Sequence, residues 1–296
     1  MILRLREREL DLSKPVLMGI VNATPDSFSE PQGPKGVGEL AGHGLQLHED
    51  GAAIVDVGGE SGRTDTEAIP VKEEIERVVP VIERLASRGE RQGGGGAVVS
   101  VDTWRAPVAR AALTAGASMV NDVSGLSDEG VAEACAARGA ALVITHTRAA
   151  PKTKAFPRYD DVVADVFEFL HERMAVARSA GVGEDAIVLD PGIDLAKTPA
   201  ESIELLRRLP EITALGRPVL AAVSRKDFIG AITERPPADR DAGTLAAVGA
   251  AVAGGALIVR VHDVAAARDY LRVHGAIADG VDRDLALAAE LRREAV

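Results

Sequence analysis

Eight times along this chain a short apolar run is followed by a segment with helical spacing. The runs are Val16–Asn22, Ala53–Gly59, Ala97–Asp102, Ser118–Val123, Ala141–Thr147, Ala186–Asp190, Pro218–Ser224 and Ala256–His262. Helices are predicted between them at Gly38–Glu49, Val71–Ala86, Ala106–Ala115, Glu129–Arg138, Tyr159–Ser179 and Pro199–Leu209. The predictions continue with a short helix near Phe228, then Asp241–Gly254 and a helix from Asp263 to Val273. In the second of these, Ile75, Val78, Val79, Ile82 and Leu85 share one face. The runs are almost continuous Val, Ile, Leu and Ala, the pattern of strands buried on both faces of a parallel sheet. Eight strand–helix units in series predict a single TIM (β/α)8 barrel, an α/β fold. An open doubly wound sheet is the alternative, but it has fewer strands and carries G-x-G-x-x-G after the first; here the first strand ends in NATPDSF.

No linker divides the 296 residues, so one domain over 1–296 is expected, with a barrel core over roughly 15–275 and a helical tail over 276–296. Gly89–Gly96 reads as a loop on the N-terminal face of the barrel. Hydrophobic content of 46% with 27% charge excludes a disordered chain. The 45 acidic residues exceed the 34 basic ones, a net charge of −11 that argues against nucleic acid or an anionic membrane as partner. Aromatics at 3% are too sparse for base-stacking platforms. A single cysteine, Cys135, permits no internal disulfide or cysteine metal centre and reads as a buried helix residue. MILRLREREL is too charged for a signal peptide, and no apolar run approaches the ~18 residues of a membrane span, so a cytoplasmic protein is expected.

Barrels place their chemistry at the C-terminal ends of the strands. Every predicted strand exit carries polar groups: Asn22; Asp56 running into Glu60, Ser61 and Arg63; Asp102; Asn121 and Asp122; His146; Asp190; Ser224, Arg225 and Lys226; Arg260 and His262. Two sets stand out. Asp102, Asn121, Asp190 and Lys226 suit a flat, nitrogen-rich heterocycle, because a carboxylate accepts two parallel N–H bonds from an amino-pyrimidine edge. Asn22, Arg63, Arg260 and His262 suit a phosphate or diphosphate, with Mg2+ shared between Asn22 and the phosphate oxygens. Asp56 lies deeper in its strand and reads as structural; taken alone, Asp102 also fits a helix cap. His43, His48 and His171 fall in helical stretches and read as surface residues, and no histidine spacing suits a transition metal.

The motifs MGIVNATPDSFS (18–29), DVGGESGR (56–63), SVDTWRAPVARAAL (100–113), NDVSG (121–125), HTRAAPKT (146–153), LDPGIDLAKT (189–198), SRKDFIG (224–230) and RVHDV (260–264) resemble those of the dihydropteroate synthase family. The resemblance covers roughly residues 15–275 in the same order. It implies a TIM barrel, a homodimer, and condensation of 6-hydroxymethyl-7,8-dihydropterin diphosphate with p-aminobenzoate to give 7,8-dihydropteroate and diphosphate, with Mg2+ as cofactor. It further implies that Asp102, Asn121, Asp190 and Lys226 hold the pterin, with Asp102, Asp190 and Lys226 as the catalytic set. Asn22, Arg63, Arg260 and His262 would hold the diphosphate, and Asn22 the metal.

Departures from the family pattern cluster on the acceptor side. GESTRPG is here Gly59-Glu60-Ser61-Gly62-Arg63-Thr64-Asp65, so Gly62 and Thr64 replace threonine and proline. DPGFGFGK is here DPGIDLAK, with Ile193 and Leu195 in place of phenylalanines, and the serine after SRK is Asp227. M-H-M after the fifth strand is T-H-T. A carboxylate near that of p-aminobenzoate repels it by roughly 4 kcal/mol at 4 Å and an effective dielectric of 20. Gly62, Thr64, Leu195 and Asp227 therefore predict weak p-aminobenzoate binding. The alternative function is a non-catalytic or low-activity pterin-binding paralogue using another amine. A corrinoid methyltransferase shares the pterin pocket but needs no diphosphate site, so Arg63, Arg260 and His262 count against it.

Overall fold

Side chains that alternate along each strand fall into two separate cores in the computed structural model, which describes residues 1–24, 36–60, 67–91, 96–281 and 285. The strands are β1 (Ile2–Leu5), β2 (Arg8–Asp11), β3 (Val16–Asn22), β4 (Ala52–Gly58), β5 (Val98–Asp102), β6 (Met119–Asp122), β7 (Ala141–Thr145), β8 (Ile187–Asp190), β9 (Leu220–Ala222) and β10 (Ile258–Val261). The last eight form one parallel sheet in the order β8-β7-β6-β5-β4-β3-β10-β9. A bridge between Leu189 and Val219 joins its two edges, closing the TIM barrel. Closure removes exposed strand edges. The predicted (β/α)8 fold is the one observed.

The helices are α1 (Val37–Glu49), α2 (Val71–Arg91), α3 (Ala106–Thr114), α4 (Gly130–Ala136), α5 (Val162–Ser179), α6 (Pro199–Arg207), α7 (Leu209–Thr213), α8 (Asp227–Thr233), α9 (Asp241–Ala253) and α10 (Val264–Asp279). On α2, Val78, Ile82 and Leu85 are buried and Ile75 and Val79 pack against the core, as the periodicity predicts. That helix extends five residues past the predicted Ala86, into the segment read as a loop. The helix predicted over Pro199–Leu209 breaks at Arg208, because Pro210 offers no N–H to continue it. A capping box between Thr198 and Glu201 starts α6, and the Asp161 carboxylate caps α5 by accepting from Val163 and Ala164 N–H.

The outer core lies between barrel and helices and takes in Val55, Val101, Val120 and Leu142. The inner core fills the barrel with Met18, Ile54, Val98, Met119, Val143, Val188, Leu220 and Ile258. Its floor lies outside the eight predicted strand–helix units. β1 and β2 pair as an antiparallel hairpin, and Leu3 and Leu5, both 0% exposed, join the inner core together with Leu12. The charged N-terminus is thus a plug, with leucines inward and arginines and glutamates outward. Each buried leucine contributes about 1.5–3 kcal/mol. Most of the predicted tail, at 282–284 and 286–296, lies outside the described residues.

Candidate functional site at the barrel mouth

The inner-core parity continues upward and turns polar. Counting in twos from Ile54, Val98, Met119, Val188 and Ile258 leads to Asp56, Ser100 and Asp102, Asn121, Asp190 and Arg260. Asn22, Gly58, Asp102 and Asn121 pair in one row across four adjacent strands. The sequence-predicted residues from these strands therefore converge on one end of the barrel.

Arg260 crosses that opening. Its Nε donates to Asp56 Oδ2 at 2.8 Å and its Nη2 to Asp102 Oδ2 at 2.9 Å. Asn121 Nδ2 donates to the same Asp56 oxygen at 2.9 Å. Asp56 is fully buried, so the two cationic and amide donors offset its desolvation. It is structural in the sense expected, yet it is also the node that orients Asn121 and Arg260. Burial pushes the Asp102 carboxyl above the usual carboxylate range, against the pull of Arg260. Asp56 Oδ1, Asn121 Oδ1, Ser100 Oγ and Thr145 Oγ1 are buried with no hydrogen-bond partner among the described residues. Each such atom costs about 1–3 kcal/mol unless something binds it. The acceptors among them match the N–H donors of a flat heterocycle.

Asp190 and Lys226 complete the wall. Asp190 Oδ1 accepts from Gly192 N–H at 2.7 Å, and burial raises its carboxyl. Burial lowers the Lys226 ammonium, with Asp194 and Asp190 opposing that drop. On the neighbouring exit, His262 Nδ1 lies 2.8 Å from Ser224 Oγ, which also accepts from His262 N–H at 3.2 Å. His262 is pushed down to about 4 by burial and by the cations Arg225, Arg260 and Lys226. A neutral imidazole among cations is poised to gain charge when an anion arrives.

Two exits depart from expectation. Asp122 and His146 point outward, opposite in parity to Asn121 and Thr145. Asp122 instead ties the following turn, accepting from Ser124 and Leu126 N–H. His146 is buried behind the barrel, edge-on to Phe169, with Nε2 2.8 Å from Asp165 Oδ1. Neither lines the mouth.

On the acceptor side, Leu195 is partly buried in the loop after β8. Asp227 is 84% exposed, and its carboxylate accepts from Arg240 Nη1 at 3.1 Å. Its charge is already paired, which weakens the repulsion argument. Gly62, Arg63 and Thr64 lie outside the described residues. Sequence reasoning missed Lys197, which lies deep under the β8–α6 loop; the only signal was its place in the LDPGIDLAKT motif.

A divalent cation fits this donor set in one manner. Among the described residues no group of three His, Cys, Asp or Glu side chains is placed to hold a metal. Asn22, exposed at the end of β3, offers a single amide oxygen. Mg2+ commonly takes few protein ligands and completes its shell with phosphate oxygens and water, so it fits as a companion of a diphosphate.

The profile of the pterin binding enzyme family matches residues 18–262. The dihydropteroate synthase of Synechocystis is 42% identical over 264 residues, spanning 88% of this chain and 89% of that protein. Among solved structures, a Xanthomonas albilineans dihydropteroate synthase with 4-aminobenzoic acid is 43% identical at a TM-score of 0.85, covering 94% of this chain and 99% of that one. The same enzyme in complex with 7,8-dihydropteroate aligns at a TM-score of 0.82 with 44% identity, over 93% of this chain and 98% of that one.

Proposed function

The chain belongs to the pterin-binding enzyme family and, within it, to the dihydropteroate synthases; on that premise we propose how its barrel mouth performs the family's reaction. The activity is condensation of 6-hydroxymethyl-7,8-dihydropterin diphosphate with p-aminobenzoate, giving 7,8-dihydropteroate and diphosphate. The amine nitrogen bonds to the pterin methylene carbon as the carbon–oxygen bond to the diphosphate breaks. The electron pair leaves with the diphosphate, and the nitrogen then gives up its proton.

The observation that carries the assignment of roles is the group of buried acceptors without partners, Asp56 Oδ1 and Asn121 Oδ1, beside Asp102. In this reading Asp102, Asn121 and Asp190 accept the N–H groups of the pterin, and Lys226 donates to a ring acceptor. Asp190 and Lys226 face the ring as positive charge builds on its methylene carbon. Arg260, His262 and Asn22 surround the leaving group, where preorganised positive charge lowers the barrier most, and the family motif assigns Arg63 to the same group. Asn22 would hold Mg2+ together with the diphosphate, and the ion would supply charge neutralisation on the departing group. The reading includes a homodimer, as the family resemblance implies, and a location in the cytoplasm, as the charged N-terminal sequence suggests. Among the described residues no helix is long and apolar enough to cross a membrane.

A low-activity paralogue is not favoured, because Asp227 is paired with Arg240 and the relatives are synthases along nearly their whole length. Incubating the purified protein with both substrates and Mg2+ tests the activity. Accumulation of 7,8-dihydropteroate is expected; its absence at every acceptor concentration overturns the proposal.

A further inference from the structure

Among the described residues a buried lysine, Lys197, stands outside the reaction's machinery. Lys197 precedes the N-cap of α6 and is 2% exposed. Its ammonium donates to the carbonyl oxygens of Gly192 at 2.9 Å and Leu195 at 3.0 Å, and lies 2.8 Å from His146 Nδ1. These partners are backbone oxygens and an imidazole rather than a carboxylate. The group therefore donates to two main-chain carbonyls and to the imidazole. Behind it, His146 meets Asp165, and Asp165 is gripped by Arg148 through two bonds of 3.0 Å. The lysine is anchored in this way to α5 and to the end of β7.

What it grips is a strained loop. Gly192, Asp194 and Ala196 have φ of 68°, 63° and 53°. Two of the three carry a Cβ, which resists the left-handed conformation. At Gly192 a Cβ would lie 2.0 Å from the His146 carbonyl oxygen and 3.1 Å from Lys197 Nζ, so only glycine lets the loop close on the lysine. Such a conformation persists where its surroundings over-determine it. The loop touches the mouth twice. Gly192 N–H fixes the Asp190 carboxylate. Asp194 accepts from the N–H of Asp227, the first residue of α8 and the one directly after Lys226.

We propose that Lys197 is a positioning residue: by holding the Gly192 and Leu195 carbonyls it keeps the β8–α6 loop in the conformation that aims Asp190 and, through Asp194, fixes the start of α8 and with it Lys226. The inference rests on the reading that Asp190 and Lys226 hold the pterin.

Lys197→Met keeps the apolar stem and removes the donors, while Asp194→Ala releases α8 and leaves Lys197 in place. Steady-state pyrophosphate release, with Mg2+ and saturating p-aminobenzoate, yields kcat and KM for the pterin diphosphate in each, and thermal melting reports the fold. Both variants are expected to melt cooperatively and to raise that KM by about tenfold, the scale of one charge-assisted hydrogen bond, with a smaller change in kcat. A wild-type KM in Lys197→Met, whatever its melting temperature, overturns the proposal. Should Lys197→Met not fold, Asp194→Ala decides alone, and a wild-type KM there overturns it equally. A wild-type protein that releases no pyrophosphate removes the functional reading itself, a result separate from either variant outcome.

Discussion

Arg260 Nη2 lies 2.9 Å from Asp102 Oδ2, so the mouth's central cation rests on a carboxylate assigned to the pterin. That bond uses one oxygen of Asp102, while Arg260 Nε holds Asp56 at the same time. Arg260 stands on β10, two residues before His262, where a leaving diphosphate needs positive charge.

Removing Arg260 tests that arrangement. Arg260→Ala leaves Asp56 and Asp102 facing each other without their shared cation, and breaking a largely buried pair of this kind costs about 3–5 kcal/mol at neutral pH. The Asp102 carboxyl is raised by burial, so the folded state binds its proton more tightly than the unfolded chain. Stability of the variant should therefore recover as the pH falls and Asp102 protonates. Urea titrations across the acid range check this; a deficit that does not shrink as the pH falls contradicts the ion-pair reading.

His262 gives a pH effect of the opposite sign. Its folded value of about 4 lies below the ordinary 6.5. Between those values the unfolded chain carries a proton that the folded chain refuses, so the wild type loses stability as the pH drops from 6.5 to 4. His262→Gln should lose less over the same window. Equal slopes in denaturant melts of the two proteins contradict a neutral, buried imidazole.

Asp227 bears on the acceptor. Its exposed pair with Arg240 is worth about 0.2–1 kcal/mol, so restoring the family's serine should change little. Asp227→Ser is expected to shift KM for p-aminobenzoate by less than about fivefold, the kinetic equivalent of that energy. A larger fall in KM would restore the repulsion argument drawn from the sequence.

The hairpin plug predicts a stability effect remote from the chemistry. Leu5→Ala empties space at the barrel floor and should cost about 2–5 kcal/mol. The urea midpoint should fall while KM for both substrates stays near wild type. An unchanged midpoint contradicts the inward packing of β1.

The barrel was legible because βα alternation and doubly buried strands have one common solution, and because the motif residues fall on strand ends. The hairpin was not read, although Leu3 and Leu5 alternate, since two four-residue strands are unstable alone and gain their apolar contacts only from the barrel floor. His146 ends an apolar run, which in sequence points to the rim. Counting in twos from Ala141 and Val143 sends it outward, to Asp165 and Lys197. Lys197 escaped because a lone lysine in sequence reads as surface, and only the folded loop supplies the carbonyls it needs. The charges of Asp190, Lys226 and Arg260 act on one another across strands remote in sequence, a coupling no single motif reveals.

Pyrophosphate release from the pterin diphosphate, followed with and without p-aminobenzoate in wild type and Asn121→Ala, tests the central claim most directly. Asn121 donates to Asp56 and leaves its own oxygen for the pterin, so its loss should weaken pterin binding by about 1–3 kcal/mol without unfolding the barrel. The account predicts acceptor-dependent release in the wild type and a KM for the pterin diphosphate raised about tenfold or more in the variant. Release that ignores p-aminobenzoate, or an Asn121→Ala enzyme with wild-type KM, would contradict it.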